Sequence, residues 1–170
     1  MQKRALVDKK IAVICVGNIC RSPVGEFLLR DYAQKSKNDT LHRIIFDSAG
    51  LHGGFLELAD DSRKFLEEKG LDPSEFRSKG ISRAYLDQFD NIWVMASWHR
   101  KFILDHYYSD LSRKERRKIK KKILTFVEAA GDGTGDVTDP YGLPVGEYQN
   151  ILKQIDELSR KIIKKLESEL

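Results

Sequence analysis

One short segment constrains the fold of this chain more than any other, because an apolar run passes directly into a helix start. The run, Ile11-Ala12-Val13-Ile14-Cys15-Val16, is rich in β-branched residues and is typical of a strand buried on both faces. Shortly after it, Ser22 suits the N-cap of a helix and Pro23 its first position, where no backbone N–H is needed. The segment therefore predicts a strand, a tight loop and a helix, the first unit of an α/β fold.

Strands and helices continue to alternate along the rest of the chain. Further strands are predicted at residues 44–48, 91–95 and 123–127, the last of which also fits a helix, and further helices at residues 59–69, 97–108 and about 145–168. This order predicts the α/β class, with a four-stranded parallel sheet covered by helices on both faces. In such sheets ligands bind beyond the carboxyl ends of the strands, which is where Cys15 and Ser48 are expected.

Length and composition limit the alternatives. The chain has 170 residues and no internal repeat or low-complexity tract, so residues 1–170 are expected to form a single domain. No apolar run approaches the roughly 20 residues that cross a bilayer. Residues 1–10 are polar and basic and lack the apolar stretch of a secretory signal, which makes the cytoplasm the expected location. Two cysteines are too few for a disulfide framework and indicate chemistry or burial.

The formal net charge of +4 is concentrated in one stretch. Eight of the ten residues from Arg113 to Lys122 are lysine or arginine. Such a run is a candidate site for an anionic partner, either a nucleic acid or an acidic membrane surface. The alternative interpretation is a solvated loop or helix face without a partner, which is the more common origin of a charge run.

The loop between the first strand and its helix contains residues that suit a phosphate group. Phosphate binding requires several backbone N–H groups that converge on one point and a helix N-terminus aimed at it. Gly17 is expected to adopt backbone angles that other residues avoid, and Asn18 tolerates left-handed geometry. Arg21 adds a planar guanidinium that pairs with two phosphate oxygens.

The same loop would activate Cys15 as a nucleophile. A thiolate is stabilised beside a helix N-terminus and an arginine, and the hydroxyl of Ser22 can donate a hydrogen bond to it. Cys15 alone would more often be a small buried residue at the end of a strand. A cysteine, five residues, an arginine and a serine between a strand and a helix rarely occur together by chance, so the spacing favours catalysis on phosphate.

These motifs resemble the low-molecular-weight protein tyrosine phosphatases over nearly the whole chain. The resemblance rests on three segments: Val16-Gly17-Asn18-Ile19-Cys20-Arg21-Ser22-Pro23 after Cys15, Asp47-Ser48-Ala49-Gly50, and Asp139-Pro140-Tyr141. It implies a four-stranded parallel sheet flanked by helices. It also implies a phosphotyrosine-containing protein or a small aryl phosphate as substrate, and no metal or other cofactor.

The resemblance further implies how the catalytic residues divide the reaction. Cys15 would carry the phosphoryl group and Arg21 would bind its oxygens. Asp139 would protonate the leaving phenolate and then take a proton from the attacking water, as a general acid and base do. From the sequence alone an Asp-Pro pair is a weak signal, since it commonly just starts a turn.

Family members hold the phosphate loop in shape through hydrogen bonds among residues that match Asn18, Ser22 and Ser48. The fourth member of that network is usually a histidine, but Phe76 aligns there in this chain. An apolar ring cannot donate a hydrogen bond to Ser48. The network is therefore expected to be shortened or completed by water.

Three departures from the family concern the rim of the pocket. Ala96 stands where an aspartate is usual, and Gly142 replaces a second aromatic residue. The loop after Gly50 lacks the usual tryptophan, and Phe55 is a candidate for the aromatic wall in its place, with core packing as the alternative. Tyr141 would form the other wall and stack on a phenyl ring.

Cys20 lies five residues after Cys15, a spacing that some family members use for a reversible disulfide. Oxidised Cys15 would condense with Cys20 and so escape irreversible oxidation. The alternative is a small structural residue beneath the loop. The four histidines are scattered and lack the spacing of metal ligands, so they are interpreted as surface or packing residues.

Three other functions fit the sequence less well. Arsenate reductases of the same fold need further cysteines, and none follows Cys20. Protein-arginine phosphatases typically have threonine where Ile19 stands. Isoleucine offers no hydroxyl to a guanidinium and narrows the opening of the pocket for an aryl phosphate, which favours phosphotyrosine. Outside enzymes, the alternative is a binding module that reads phosphate with weak turnover, but the intact set of Cys15, Arg21 and Asp139 argues against lost catalysis.

Overall fold

A computed structural model of the protein describes residues 8–170, and residues 1–7 of the predicted domain lie outside the described residues. Four parallel strands form one sheet in the order β2-β1-β3-β4. The strands are β1 (Lys10–Cys15), β2 (Ile45–Gly50), β3 (Asn91–Val94) and β4 (Ile123–Thr125). The predicted four-stranded parallel sheet is therefore confirmed.

Helices connect the strands and cover the sheet. They are α1 (Arg21–Lys35), α2 (Asp60–Glu68), α3 (Arg83–Leu86), α4 (Ser97–Tyr107), α5 (Arg113–Lys122), α6 (Phe126–Ala129) and α7 (Val145–Glu169), with a 3₁₀ turn at Leu41–Arg43. The short α3 and the 3₁₀ turn were not predicted, because single turns carry no apolar periodicity. None of the helices in residues 8–170 is both long and apolar enough to span a membrane.

The alternating side chains of β1 separate two apolar layers. Ile11 and Val13 belong to the layer that α1 and α7 cover, whereas Ala12 and Ile14 belong to the layer beneath α3 and α4, and all four are fully buried. The α7 side of the core takes its apolar stripe from Leu152, Ile155, Leu158, Ile162 and Leu166. Each fully buried aliphatic side chain of this size stabilises the fold by about 1.5–3 kcal/mol.

The start of α1 differs from the prediction by two residues. The helix begins at Arg21, and Cys20 occupies the N-cap position without a side-chain hydrogen bond to the helix. Ser22 is not the N-cap, because its hydroxyl points to the Cys15 thiol, 3.0 Å away, instead of to a helix N–H. Pro23 lies within the first turn, where its missing N–H has no intrahelical partner to lose.

Two capping boxes account for boundaries that the sequence left open. The Thr125 hydroxyl accepts a hydrogen bond from the Glu128 N–H, and the Glu128 carboxylate accepts one from the Thr125 N–H, so the ambiguous segment splits into β4 and α6. Ser112 and Glu115 form the same pair at the start of α5. The basic run is therefore a helix, and its residues are exposed or half-buried.

The carboxyl edge of the sheet collects the segments that the sequence singled out. Cys15, the last residue of β1, pairs with Gly50 at the end of β2, and Ile14 pairs with Val94 at the end of β3. The loops that follow these three strands therefore meet at one edge, as the parallel sheet predicts.

Candidate active site

A pocket of about 200 Å³ opens at this edge of the sheet. Its lining consists of Cys15, Val16, Gly17, Ile19, Cys20, Arg21, Asp139 and Tyr141. The three residues predicted to be catalytic thus lie in one small recess, although Asp139 is more than 100 residues from the other two along the chain. The pocket suits a phosphate group at the bottom and an aromatic ring at the mouth.

The Cys15 thiol lies at the bottom of the pocket and is 3% exposed. Its sulfur is 3.0 Å from the Ser22 hydroxyl and accepts a hydrogen bond from the Asn18 N–H at 3.3 Å. The two contacts fix the position of the sulfur from two sides. The sulfur is therefore held as a nucleophile that faces the open end of the loop.

The unusual backbone conformation of the loop occurs at Asn18 and not at Gly17. Asn18 has a φ of +56°, in the left-handed region that asparagine tolerates. Gly17 is not among the glycines with positive φ, and a Cβ built on it would contact only Ile19 at 3.7 Å. The expectation that Gly17 supplies special backbone angles is wrong, because the left-handed residue of the loop is Asn18, one position later.

Gly50 is the glycine that the site requires. A Cβ on Gly50 would lie 2.6 Å from the Val16 carbonyl oxygen and 2.7 Å from that of His52. The end of β2 can therefore approach the phosphate loop only because this residue has no side chain. From the sequence, Gly50 was recognised only as part of a motif, and the need for a residue without a side chain was not predicted.

Asn18 is also the centre of a buried hydrogen-bond network beneath the loop. Its side-chain amide donates to the hydroxyls of Ser22 and Ser48, each at 2.9 Å. Its side-chain carbonyl oxygen accepts a hydrogen bond from the Lys79 N–H at 3.0 Å. Three separate segments of the chain thus fix one side chain, which in turn fixes the shape of the loop.

Glu26 of α1 completes the network, which the sequence did not predict. The Ser48 hydroxyl donates to the Glu26 carboxylate, which also forms an ion pair with Arg30 one turn along the helix. Burial raises the pKa of the Glu26 carboxyl, and the Arg30 guanidinium opposes that rise. The prediction that the network would be shortened or completed by water is therefore wrong, because a carboxylate occupies the end of the network.

Phe76 plays no part in this network. Its ring packs edge-on against Phe27, with 6.2 Å between the ring centroids, at the margin of the core.

The available signal for Glu26 was a carboxylate four residues before an arginine, within an otherwise apolar stretch of helix. Because the same pair also occurs on exposed helix faces, it did not single out Glu26 as a buried residue.

Arg21 is buried and joins the phosphate loop to the segment that carries Asp139. One terminal nitrogen donates to the Val137 carbonyl at 2.9 Å, and the other lies 3.4 Å from an Asp139 carboxylate oxygen. Its Nε has no hydrogen-bond partner among residues 8–170. The guanidinium therefore lines the pocket while it contacts the segment that carries Val137 and Asp139.

Asp139 has the exposure that a proton donor to a bound ligand needs. Its carboxyl is about half exposed, and one of its oxygens accepts a hydrogen bond from the Tyr141 N–H at 3.1 Å. This turn, with Pro140 between the two residues, fixes the carboxyl over the pocket. Tyr141 itself is 77% exposed and stands at the pocket mouth, as expected for an aromatic wall.

The structure does not bring Phe55 to this pocket. Phe55 is 83% exposed and lines a different recess, next to Glu26 and Arg30, where the Arg77 guanidinium lies 5.9 Å from the centre of its ring. It is therefore neither the second aromatic wall nor a core residue. Gly142, at a φ of +78°, adds no side chain to the rim.

Cys20 lies beneath the loop as a free, buried thiol. Burial raises the pKa of Cys20 to about 11, and a hydrogen bond with Tyr148 opposes the rise. The backbone carbonyl of Cys20 accepts a hydrogen bond from Ser62 at 3.1 Å. Cys20 is accordingly protonated at neutral pH, whatever its role.

His99 is fully buried beside the site, which agrees with its interpretation as a packing residue. Its Nδ1 accepts a hydrogen bond from the Ala96 N–H at 3.2 Å, so the neutral ring carries its proton on Nε2. Burial, with a smaller contribution from Arg21, lowers the pKa of His99 to about 4. Among residues 8–170 no three His, Cys, Asp or Glu side chains are grouped closely enough to hold a metal ion.

Comparisons with known proteins agree with this geometry. The family model described as low molecular weight phosphotyrosine protein phosphatase matches residues 10–170. A protein-arginine-phosphatase of Geobacillus stearothermophilus is 26% identical over 161 residues, which are 94% of this chain and 97% of that protein. The low molecular weight protein-tyrosine-phosphatase YfkJ of Bacillus subtilis is 27% identical over 161 residues, 94% of this chain and 96% of that protein. The crystal structure of a low molecular weight protein tyrosine phosphatase from T. tengcongensis is 26% identical, with a TM-score of 0.77 over 92% of this chain and 99% of that chain.

Proposed function

Because the chain belongs to the low molecular weight phosphotyrosine protein phosphatase family, we propose that it hydrolyses phosphotyrosine and other aryl phosphate monoesters through a phosphocysteine on Cys15. The observation that carries this proposal is the single pocket that holds the Cys15 thiol, the Arg21 guanidinium and the Asp139 carboxyl. A nucleophile, an anion-binding group and a proton donor are the three groups that the reaction needs. We also propose that residues 1–170 form one catalytic domain, which the family match over residues 10–170 supports.

The first step transfers the phosphoryl group to the enzyme. The Cys15 thiolate attacks phosphorus and the bond to the phenolic oxygen breaks, while Asp139 gives its proton to that oxygen. Backbone N–H groups of the loop and Arg21 hold the equatorial oxygens, where the charge of the transition state is distributed. The phenol leaves through the mouth of the pocket beside Tyr141.

The second step regenerates the enzyme. Asp139, now ionised, takes a proton from a water molecule that attacks the phosphocysteine, and inorganic phosphate departs. The electron pair of the sulfur–phosphorus bond returns to Cys15. The Ser22 hydroxyl, 3.0 Å from that sulfur, supports the departing thiolate by donating a hydrogen bond.

The apolar lining of the pocket supports an aryl substrate. Ile19 and Val16 line one side and Tyr141 stands at the mouth, so a phenyl ring would contact carbon on more than one side. Asp139 is the one carboxylate among the lining residues, which leaves no second acid to neutralise a guanidinium. These features favour phosphotyrosine over phosphoarginine.

Phosphoarginine is the second candidate substrate, because a relative of similar identity is a protein-arginine-phosphatase. The test measures kcat/KM on three peptides that differ only in a phosphotyrosine, phosphoserine or phosphoarginine. We expect phosphotyrosine to be cleaved at least about 100-fold faster than the others, the scale on which a pocket built for one shape rejects another. Faster cleavage of phosphoarginine would replace the proposed substrate.

The catalytic roles are tested with an aryl phosphate that has a poor leaving group. We expect Cys15→Ser to abolish turnover, and Asp139→Ala to lower kcat by about 10²–10⁴-fold, the usual contribution of a general acid. Asp132→Ala removes a carboxylate from the same linker that pairs with Lys161 on the surface, and serves as the matched control. Turnover by Cys15→Ser would overturn the proposed mechanism, whereas weak or absent turnover by the wild type would leave the phosphate-binding module as the better description of the site.

A cytoplasmic location stays a prediction from the sequence, which cell fractionation tests. An anionic partner of the Arg113–Lys122 segment is a separate proposal, because this helix lies outside the active site.

A further inference from the structure

A groove of about 540 Å³ runs between α4 and α5, outside the active site. It is lined by Ser97, Arg100, Lys101, Leu104 and Asp105 from α4 and by Arg113, Arg116, Arg117 and Lys120 from α5. Six of these nine side chains are cations and one is a carboxylate. We call it the α4–α5 groove.

The positive charge of the groove is only partly balanced. Asp105 forms ion pairs with two of the six cations, and Glu128 with a third. The other three have no carboxylate within 4.0 Å among residues 8–170; they are Arg113, Arg117 and Lys120. The groove thus already contains one carboxylate, that of Asp105, and three cations that remain available to bind further carboxylates.

The three unbalanced cations form a row. Residues four and seven positions apart lie on the same face of a helix, and α5 rises about 1.5 Å per residue, so the row is about 10 Å long. An extended peptide advances about 3.3 Å per residue. A run of about three or four residues therefore matches the row in length, and acidic side chains match it in charge.

One end of the groove adjoins the loop that carries the proposed general acid. The Ser97 N–H donates to the Asp136 carboxylate at 2.7 Å, and the Val137 N–H donates to the Met95 carbonyl at 2.7 Å. Asp136 is three residues before Asp139, a separation that spans at most about 10 Å. A polypeptide whose phosphorylated side chain occupies the Cys15 pocket can therefore continue into the groove within a few residues.

We propose that the α4–α5 groove binds an acidic segment of the phosphoprotein substrate. The enzyme then favours phosphotyrosines that lie about four to eight residues from a cluster of Asp or Glu, the reach of an extended chain from the pocket to the row. This inference rests on the proposed phosphatase function and adds a substrate class to it. It also gives the basic helix a role in recognition, since charge complementarity selects partners and speeds their association.

A narrow polypeptide fits the groove better than a broad anionic surface does. The cations of the row face into a recess, together with Leu104 and the stems of the arginines, whereas a membrane or duplex would contact the outer face of α5. That outer face has its own exposed lysines, Lys118 and Lys121, which do not line the groove. The two faces can therefore be tested separately.

The experiment compares two charge reversals of equal size on the same helix. Arg117→Glu with Lys120→Glu changes the groove, and Lys118→Glu with Lys121→Glu changes the outer face. Each protein is assayed on a phosphotyrosine peptide with four glutamates at the stated distance, on the same peptide with glutamines, and on a small aryl phosphate. Peptides with the cluster on either side of the phosphotyrosine cover both chain directions.

Wild type is expected to cleave the acidic peptide with a kcat/KM about 5- to 30-fold above that of the neutral one, as two or three exposed charge pairs would give. The groove variant is expected to lose this preference, and the outer-face variant to retain most of it. Turnover of the small aryl phosphate stays the same in all three proteins. The preference also weakens as salt is added, since exposed charges are screened.

Two results would overturn the proposal. Equal rates of wild type on the two peptides would exclude a contribution of the groove to substrate choice. Equal losses in both variants, accompanied by tight binding of a single-stranded oligonucleotide or of acidic vesicles, would assign the whole helix to a different class of partner.

A binding measurement separates this proposal from the phosphatase function. The acidic peptide without phosphate is titrated against wild type and both variants by fluorescence anisotropy. If the small aryl phosphate is not hydrolysed, the proposed phosphatase function fails. The groove is still a binding site in that case if the groove variant alone no longer binds the acidic peptide. If hydrolysis is normal and no protein binds the peptide, only the groove proposal fails.

Discussion

The hydroxyl of Ser48 donates a hydrogen bond to the buried carboxylate of Glu26. Ser48 in turn accepts a hydrogen bond from the Asn18 amide, and Asn18 sets the backbone of the loop that holds Cys15. A charged residue of α1 thus supports the nucleophile through two intermediate side chains. Buried networks of this kind fix one geometry only while every member has a partner.

Removal of the Glu26 carboxylate is expected to loosen the loop. Glu26→Ala leaves the Ser48 hydroxyl without its acceptor, so we expect kcat/KM on an aryl phosphate to fall by about 10- to 100-fold, as small misplacements of catalytic groups do. Glu26→Gln keeps an acceptor for Ser48 and should remain within a few-fold of wild type. Melting curves of both variants check that the folded state is populated. Full activity of Glu26→Ala would show that the loop keeps its conformation without the Glu26 carboxylate.

His99 is expected to make the protein less stable in acid. Its folded pKa of about 4 lies below the ordinary value of 6.5, so the unfolded chain takes up a proton that the folded protein excludes. Its contribution to stability is complete above pH 6.5 and is lost as the pH falls toward 4, by about 3 kcal/mol in total. His99→Asn retains an acceptor for the Ala96 N–H but does not titrate. Urea unfolding between pH 4 and 7 should give a shallower pH dependence for this variant, and identical slopes would contradict the prediction.

Cys20 is expected to protect Cys15 from irreversible oxidation, but slowly. Hydrogen peroxide converts the Cys15 thiolate to a sulfenic acid, and the Cys20 sulfur then displaces water to form a disulfide. Because the pKa of Cys20 is about 11, this second step should accelerate as the pH rises toward that value. After peroxide treatment, a thiol reductant should restore wild-type activity but not that of Cys20→Ser. Equal recovery of the two proteins would leave Cys20 as a structural residue.

Gly50 is expected to tolerate no side chain. Gly50→Ala places a methyl group 2.6 Å from the Val16 carbonyl, so we expect a loss of about 2–3 kcal/mol in unfolding free energy together with reduced activity. Gly146, in the first turn of α7, has no atom within 4 Å of a built Cβ. Gly146→Ala is therefore the matched control and should stabilise the protein by up to about 1 kcal/mol. Denaturant unfolding compares the two, and a stable Gly50→Ala would show that β2 can shift away from the loop.

The sequence predicted the fold and most of the pocket because these depend on local signals. The strand, loop and helix around Cys15 form one continuous stretch, and few sites other than a phosphate-binding one place a cysteine, an arginine and a serine at this spacing. The alternation of strands and helices then predicted a parallel sheet, which the structure confirms. The position of Asp139 came from the family resemblance, since an Asp-Pro pair by itself predicts little more than a turn.

The remaining errors concern contacts between distant segments. Glu26 meets Ser48 only after α1 has packed against β2, and nothing near Glu26 in the sequence indicates that partner. Phe55 was a candidate for the aromatic wall, with core packing as the alternative, but its ring instead lies beside Arg77 in an exposed loop. Unusual backbone geometry was expected at both Gly17 and Asn18, but only Asn18 has a positive φ.

The hydrogen bond from Arg21 to the Val137 carbonyl has a consequence for the end of the catalytic cycle. A guanidinium has five N–H donors, and the segment that carries Val137 and Asp139 already engages some of them. Val137 and Asp139 engage two of the five donors, which leaves three for a tetrahedral oxyanion, and the negative charge of Asp139 offsets part of its attraction to the pocket. We expect inorganic phosphate, the product, to be held more weakly than an unengaged arginine would hold it. We therefore expect the contacts that orient the guanidinium also to ease departure of the product.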